Sequence, residues 1–258
     1  MCDLVCVIPL YGDDCQDVSL RMVSSLALQK TGYIVKYVFY YDDTVSRATI
    51  NQICFLMSQR GRILDKDYYI FYSEITSSGH KRNLGLKFAL ENSIYVWFLD
   101  QDDYLLRDDA IQIILYNCYK AQLDAVQIKF NIPDSVDAAN RKTIFNTPTM
   151  PWKYIFKTSK LEGYAFREDC EYGSDIPITI RYLSDNDHIK FNDDLTFNFY
   201  IDNQIPTIKA TIYFYNYLNT NSHMYSFAIK DKEHQKEPMD KAYTLIREIK
   251  ESKVNENN

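Results

Sequence analysis

The chain has 258 residues, 46% of them hydrophobic and 15% aromatic, which is enough apolar material for a sizeable core and points away from a disordered protein. A formal net charge of -6 and a pI near 5.3 argue against a general electrostatic grip on nucleic acid or anionic lipid, so a phosphate-bearing partner has to be met locally. The six cysteines contain no Cys-x-x-Cys pair and no secretory signal precedes them, and no apolar run approaches the ~18 residues of a spanning helix, so the expectation is a cytoplasmic protein with reduced thiols.

Residues 4–10, LVCVIPL, form a short continuous apolar run ended by Pro9 and the turn residues Tyr11, Gly12, Asp13 and Asp14, as expected of a buried first strand. The apolar spacing over 18–29 predicts a helix closed by Lys30, Thr31 and Gly32. A β-rich run at 33–41 stops at Asp42 and Asp43, a second strand ending in carboxylates. A helix is expected over 50–57 and a third strand at 68–72. In 77–93, SSGHKRNLGLKFALENS, a serine and glycine loop runs past Lys81, Arg82 and Asn83 into a helix. That is either an anion site for a group such as a diphosphate or a solvated helix start.

Residues 95–109, YVWFLDQDDYLLRDD, carry the sharpest signal: a buried strand over 94–99 breaks into Asp100, Asp102 and Asp103. Carboxylates crowded at a strand tip repel one another unless a divalent cation or a polar ligand sits among them, and strand tips are where ligands bind in open α/β sheets. The alternative is an acidic turn leading into the helix expected from Asp109 to about Ala121. One more strand is expected at 124–131, and the order of elements describes a doubly wound, mostly parallel sheet over roughly the first 130 residues.

Residues 132–149 read as a surface excursion. After them come an aromatic segment at 150–161, a second acidic cluster ending in Asp175 before a helix over 176–183, and β-rich runs at 196–200 and 208–217. A tail helix over 238–250 places Met239, Ala242, Leu245, Ile246 and Ile249 on one face, for packing on the domain or for peripheral contact with the inner face of a membrane. No internal repeat is present.

Taken together, these segments resemble the family 2 glycosyltransferases over about residues 4–224. VIPLYGDD is similar to that family's first-strand Pro-x-Tyr-Asn, with Gly12 in place of Asn. YYDDTVS resembles its Asp-Asp-Gly-Ser turn, SSGHKRNLG its Gly-x-x-x-Arg-Asn-x-Gly shortened by one residue, and FLDQDD its Asp-x-Asp-Asp element. PWKYIFKTSKL resembles the Trp-x-x-x-Tyr/Phe-Lys/Arg segment, EYGSD the Gly-Glu-Asp element with Ser174 in place of Glu, and IYFYNYLNTNSHM a closing Tyr-x-Tyr segment.

The resemblance implies an α/β protein of GT-A fold (the nucleotide-diphospho-sugar transferase fold). Its Rossmann-like, mostly parallel sheet would be flanked by helices, with residues 1–130 as donor half, 131–230 as acceptor-side half, and 231–258 as C-terminal helix and disordered tail. It implies an inverting hexosyltransferase that takes a nucleotide sugar, a UDP-sugar first, and passes the sugar to a hydroxyl on a glycan, lipid-linked or protein-linked acceptor, in bacterial surface-glycan or polysaccharide synthesis.

Pro9, Tyr11 and Asp43 would then hold the base, Gly79 and Arg82 face base or diphosphate, and Asp100 take the ribose hydroxyls. Asp102 would ligate Mn²⁺ or Mg²⁺ with Asp103 near the sugar or orienting the others, and His223 would add a metal or diphosphate contact unless it is structural. Asp175 would be the base that deprotonates the acceptor, and Trp152 would line the acceptor side unless it belongs to the core. A catalytically idle GT-A domain that only binds a nucleotide, a sugar or a protein is the reading from another class. A nucleotidyltransferase would be expected to carry a glycine-rich, lysine-containing first loop, which YGDDCQD lacks.

Overall fold

The computed structural model describes residues 1–12, 16–136, 150–169, 176–186, 188–191, 199–201, 205–215, 244, 246–249 and 251. Strands β1 (Cys2–Pro9), β2 (Val35–Tyr41), β3 (Tyr68–Tyr72) and β4 (Ser93–Phe98) lie in the order β3-β2-β1-β4, all parallel. They are joined by α1 (Gln16–Ala27), α2 (Arg47–Ser58) and α3 (Ser78–Asn92). Beyond β4 the sheet continues through β7 (Tyr154–Lys157), β6 (Ala125–Asn131), β10 (Thr207–Phe214) and the two-residue β5 (Tyr104–Leu105). A separate antiparallel pair joins β8 (Ile189–Phe191) to β9 (Phe199–Ile201).

The alternation of side chains along each strand builds two cores. Leu4, Cys6 and Ile8 of β1 and Tyr95 and Trp97 of β4 face α1, α2 and α4 (Ala110–Ala121), meeting Met22, Leu26, Ile53, Met57, Ile111 and Ile114. Val5 and Val7 with Val96 and Phe98 face the other way, onto Leu86 and Ala89 of α3 and onto Ile178, Tyr182 and Leu183 of α5 (Ile176–Asp185). A period of two with both faces buried explains why β1 reads as an unbroken apolar run. Ile246 and Ile249 are buried in this second core. These two members of the apolar face of the tail therefore pack on the domain, while Met239, Ala242 and Leu245 lie outside what is described.

Local signals set the helix ends. Ser46 caps α2 by accepting from the Thr49 amide at 3.2 Å, and Ser77 caps α3 by accepting from the His80 amide at 3.4 Å. Asp109 stands at the N-cap of α4 without a side-chain capping bond, because its carboxylate takes both the Nε and a terminal nitrogen of Arg107, at 2.7 and 3.0 Å.

Two features depart from the expected layout. Strand β7 lies within the aromatic segment 150–161 and inserts antiparallel between β4 and β6, so the last of the early strands does not neighbour β4. Strand β5 falls inside the acidic turn and pairs antiparallel with the end of β10. Of the excursion, Ile132 and Val136 are buried, and 137–149 lie outside the described residues. Among the described residues no helix is long and apolar enough to cross a membrane.

Helix α3 lies very close to β1. A Cβ on Gly85 would stand 2.2 Å from Val7 Cγ1 and 2.8 Å from its Cγ2. Val7 is fully buried and β-branched, so it has no open rotamer into which to retreat. Gly85→Ala should therefore destabilise the fold by about 1–3 kcal/mol through overpacking, read as a lower denaturation midpoint. An unchanged midpoint would contradict this packing.

Candidate functional site

The sheet order reverses direction at β1, whose neighbours β2 and β4 are reached by connections on opposite sides. The crevice outside the carboxyl ends of β1 and β4 is thus a topological switch point, where open α/β sheets bind ligands. Pro9 closes β1 in register with Tyr40. Gln101, in the turn after β4, reaches across: its Oε1 accepts from the Tyr11 amide at 2.7 Å and its Nε2 donates to the Tyr11 carbonyl at 3.0 Å. Gly12 follows at φ 41°, in the left-handed region, and donates its amide to Thr44 Oγ1 at 3.0 Å. Glycine adopts this backbone without the strain a Cβ would bring.

Below the loop sits a buried ion pair. Lys81, in the first turn of α3 and 0% exposed, donates from Nζ to the Asp42 carboxylate and, at 2.6 Å, to the Leu10 carbonyl. The ammonium also lies 4.3 Å from the centroid of the Tyr11 ring. Asp42 in turn accepts from the Thr44 amide at 2.8 Å and from the Thr44 hydroxyl. Burial pushes the Asp42 carboxyl up, but the Lys81 and Thr44 bonds outweigh it and hold the group below the usual carboxylate range. Burial pulls the Lys81 ammonium down against the opposing attraction of Asp42.

Arg82, next along α3 and also buried, pairs with Asp100 at the tip of β4 and lies over the Phe166 ring at 5.6 Å. The Asp100 side chain keeps 27% of its surface exposed, so this pair forms part of the crevice wall. The Tyr11 hydroxyl is buried in the neighbourhood of Ser78 and Arg82. Burial pushes its phenol up to about 12, against the pull of Arg82 and Ser78. Asp102 stands half-buried. Asp103 is 0% exposed and accepts from the Tyr213 hydroxyl at 2.5 Å. Burial, then the charges of Asp103 and Asp100, drive the Tyr213 phenol well above its ordinary value, so it stays a donor.

The Tyr213 ring stacks on Trp152 at 5.0 Å between centroids, and the Trp152 carbonyl accepts from Trp97 Nε1 at 2.8 Å. Trp152 is 1% exposed. It belongs to the core, the alternative left open by its sequence, and it buttresses Tyr213 under the acidic turn. Asp43 is exposed at the tip of β2 and accepts from the Tyr72 hydroxyl at 2.9 Å. Gly79 is buried in the first turn of α3. That turn also holds the segment preceding residue 170. Asn83 exchanges two bonds with the Phe166 backbone, at 2.7 and 2.9 Å, and Glu168 accepts from Asn83 at 2.7 Å and pairs with His80 at 2.9 Å.

The structure thus brings Pro9, Tyr11, Asp43, Gly79, Arg82, Asp100, Asp102 and Asp103 to the tips of adjacent strands and the start of α3. Asp175 and His223 lie outside the described residues. Sequence reasoning missed Gln101, Tyr72 and Tyr213, and it named Asp42 only as a strand-end carboxylate and Lys81 only as a neighbouring cation. Their one signal was adjacency to the motifs, since each partner is tens of positions away along the chain.

Among the described residues no group of three or more His, Cys, Asp or Glu side chains forms a metal cage. Arg82 engages Asp100 and Tyr213 engages Asp103, and Asp102 stands half-buried between them in the same turn, so the turn presents carboxylate oxygens of the kind a hard cation takes. Hard divalent cations are held by one or two carboxylates together with substrate phosphates and water. The donor set therefore fits Mn²⁺ or Mg²⁺ arriving with a diphosphate. Tyr213→Phe, which removes a bond to a buried carboxylate, should cost about 1–3 kcal/mol in denaturant unfolding; no loss would show that the bond does not hold the turn.

No protein-family model matches the chain, and no curated protein is similar to it in sequence. Solved structures do match. Crystal structures of S. aureus TarS 1-349 align at TM-score 0.66 with UDP-GlcNAc bound and 0.61 with UDP bound, each at 18% identity, covering 96% and 83% of this chain. The mannosyltransferase PcManGT from Pyrobaculum calidifontis, in complex with GDP-Man and Mn2+, aligns at 0.56 with 12% identity over 88% of this chain. The chain spans 60% to 65% of the length of these three. At such identities the likeness is one of fold, and the fold is GT-A: a mixed, mostly parallel central sheet flanked by helices.

Proposed function

We propose that the chain is an inverting glycosyltransferase of the family 2 type. It would move a hexosyl group from a nucleotide diphosphate sugar, a UDP-sugar first, to an acceptor hydroxyl on a glycan, lipid-linked or protein-linked substrate in surface-glycan synthesis. The observation that carries this reading is the convergence of Tyr11, Arg82, Asp100 and Asp102 on the β1/β4 switch point, in a fold shared with proteins solved with UDP, UDP-GlcNAc and GDP-Man.

Residues 1–130 would form the donor half. Tyr11 and Pro9 would bound the base, Asp43 accept from a ring N–H, and Asp100 accept from ribose hydroxyls. Departure of the nucleoside diphosphate builds negative charge on a phosphate oxygen, which Arg82 would neutralise from the wall of the crevice. Mn²⁺ or Mg²⁺, held by Asp102 and, on the family pattern, His223, would add positive charge at the same oxygens. Asp103, buried and bonded to the Tyr213 hydroxyl, would fix the turn that presents Asp102. The acceptor hydroxyl is a poor nucleophile at neutral pH, so Asp175 would take its proton as it attacks the face opposite the leaving group. The ties from His80 and Asn83 to Glu168 and Phe166 would anchor the segment that leads to Asp175.

A thermal-shift screen of nucleotide sugars with and without Mn²⁺ tests the donor. A UDP-sugar should raise the melting temperature in a metal-dependent way, since a ligand of the folded state stabilises it. Asp102→Asn should lower donor turnover by about a hundredfold or more, and Asp175→Asn should lower transfer by a similar factor while sparing donor binding. Unchanged rates in both variants would refute the enzymatic reading. The Ser174 and Gly12 departures from the family pattern raise a second reading, a binding module without turnover. Tight donor binding with no nucleoside diphosphate released against any hydroxyl acceptor would select it.

A further inference from the structure

The junction of β1, β2 and α3 contains a buried cation for which the proposed chemistry has no use. Lys81 Nζ is surrounded by the Leu10 carbonyl, the Asp42 carboxylate and the face of the Tyr11 ring. Gln101 fixes the backbone of Tyr11 from the β4 side through two bonds. The ring itself meets Lys81, whose ammonium lies over one face at 4.3 Å from the centroid.

We infer that Lys81 is the positioning residue of the base pocket: its ammonium holds the Leu10–Tyr11 turn and one face of the Tyr11 ring, so that the opposite face is set for a planar base. The inference rests on the donor-site reading given above. Two physical effects act together. A cation over an aromatic face holds the ring where rotamer freedom would otherwise let it swing. The same charge neutralises Asp42, which would otherwise add one more negative group beside Asp43, Asp100, Asp102 and Asp103 next to a crevice that has to accept a diphosphate. Neither effect needs Lys81 to touch the nucleotide, and at 0% exposed it cannot.

The test uses UDP as probe, with binding measured by titration calorimetry in the presence of Mn²⁺ and folding by thermal melting. Lys81→Met alone leaves Asp42 buried without its counter-charge and is expected to melt far below the wild type. The informative variant is Asp42→Asn with Lys81→Met, which removes both charges at similar volume and is expected to keep a cooperative melt close to that of the wild type. In that variant the UDP dissociation constant should rise about tenfold. Adding Tyr11→Leu should then cost little more, because Lys81 acts through that ring.

Several results would overturn the inference. If the charge-free variant folds and binds UDP as tightly as the wild type, it fails while the donor site stands. If Tyr11→Leu adds its full effect on top, Lys81 does not act through the ring. If the charge-free variant has no cooperative melt, Lys81 is structural and the assignment is wrong. If the wild type itself does not bind UDP, the donor-site reading fails and takes this inference with it.

Discussion

The arrangement depends on how closely α3 approaches β1. With no side chain on Gly85 the helix axis can lie against Val7, and the first turn of α3 then falls level with the tips of β1 and β4. From there Lys81 and Arg82, one residue apart, reach different strand ends. Lys81 reaches the Leu10 carbonyl after β1 and the Asp42 carboxylate after β2, and Arg82 reaches Asp100 after β4. A larger residue at 85 would move the helix outward and separate both cations from their partners.

Electrostatics then explains how acidic side chains crowd one edge of the sheet without splitting it. Asp42 has Lys81 and Thr44, Asp43 has the Tyr72 hydroxyl, Asp100 has Arg82, and buried Asp103 has Tyr213. Asp102 stands half-buried in the same turn. The Tyr213 phenol rests on stacked Trp152, so the aromatic core beneath the acidic turn is what keeps the turn in place. Core and crevice are thus mechanically continuous, and the role argued for Trp152 is support of the crevice floor.

Much of this was legible in the chain. The runs 4–10, 33–41 and 68–72 correspond to β1, β2 and β3, and the break from apolar strand to carboxylates at Asp100 marks the end of β4, because period-two burial and strand-tip polarity leave direct traces in sequence. Strand β7 was not legible, since four residues between tight turns carry too little pattern to separate them from an aromatic loop. Nor were the pairings. Nothing local in Lys81 says that its partner is Asp42 rather than one of the carboxylates of the 100–103 turn; that choice is made by the parallel crossover that sets β2 beside β1. Trp152 carried a motif resemblance, but its burial follows from Tyr213 and Tyr215 stacking on it, partners supplied by a strand more than fifty positions later.

The most direct measurement of the central claim is a crystal structure of the chain grown with UDP and Mn²⁺. The account predicts the uracil against Tyr11 and the diphosphate between Arg82 and Asp102, in the crevice at the carboxyl ends of β1 and β4. Nucleotide density at any other surface, with that crevice left empty, would contradict it.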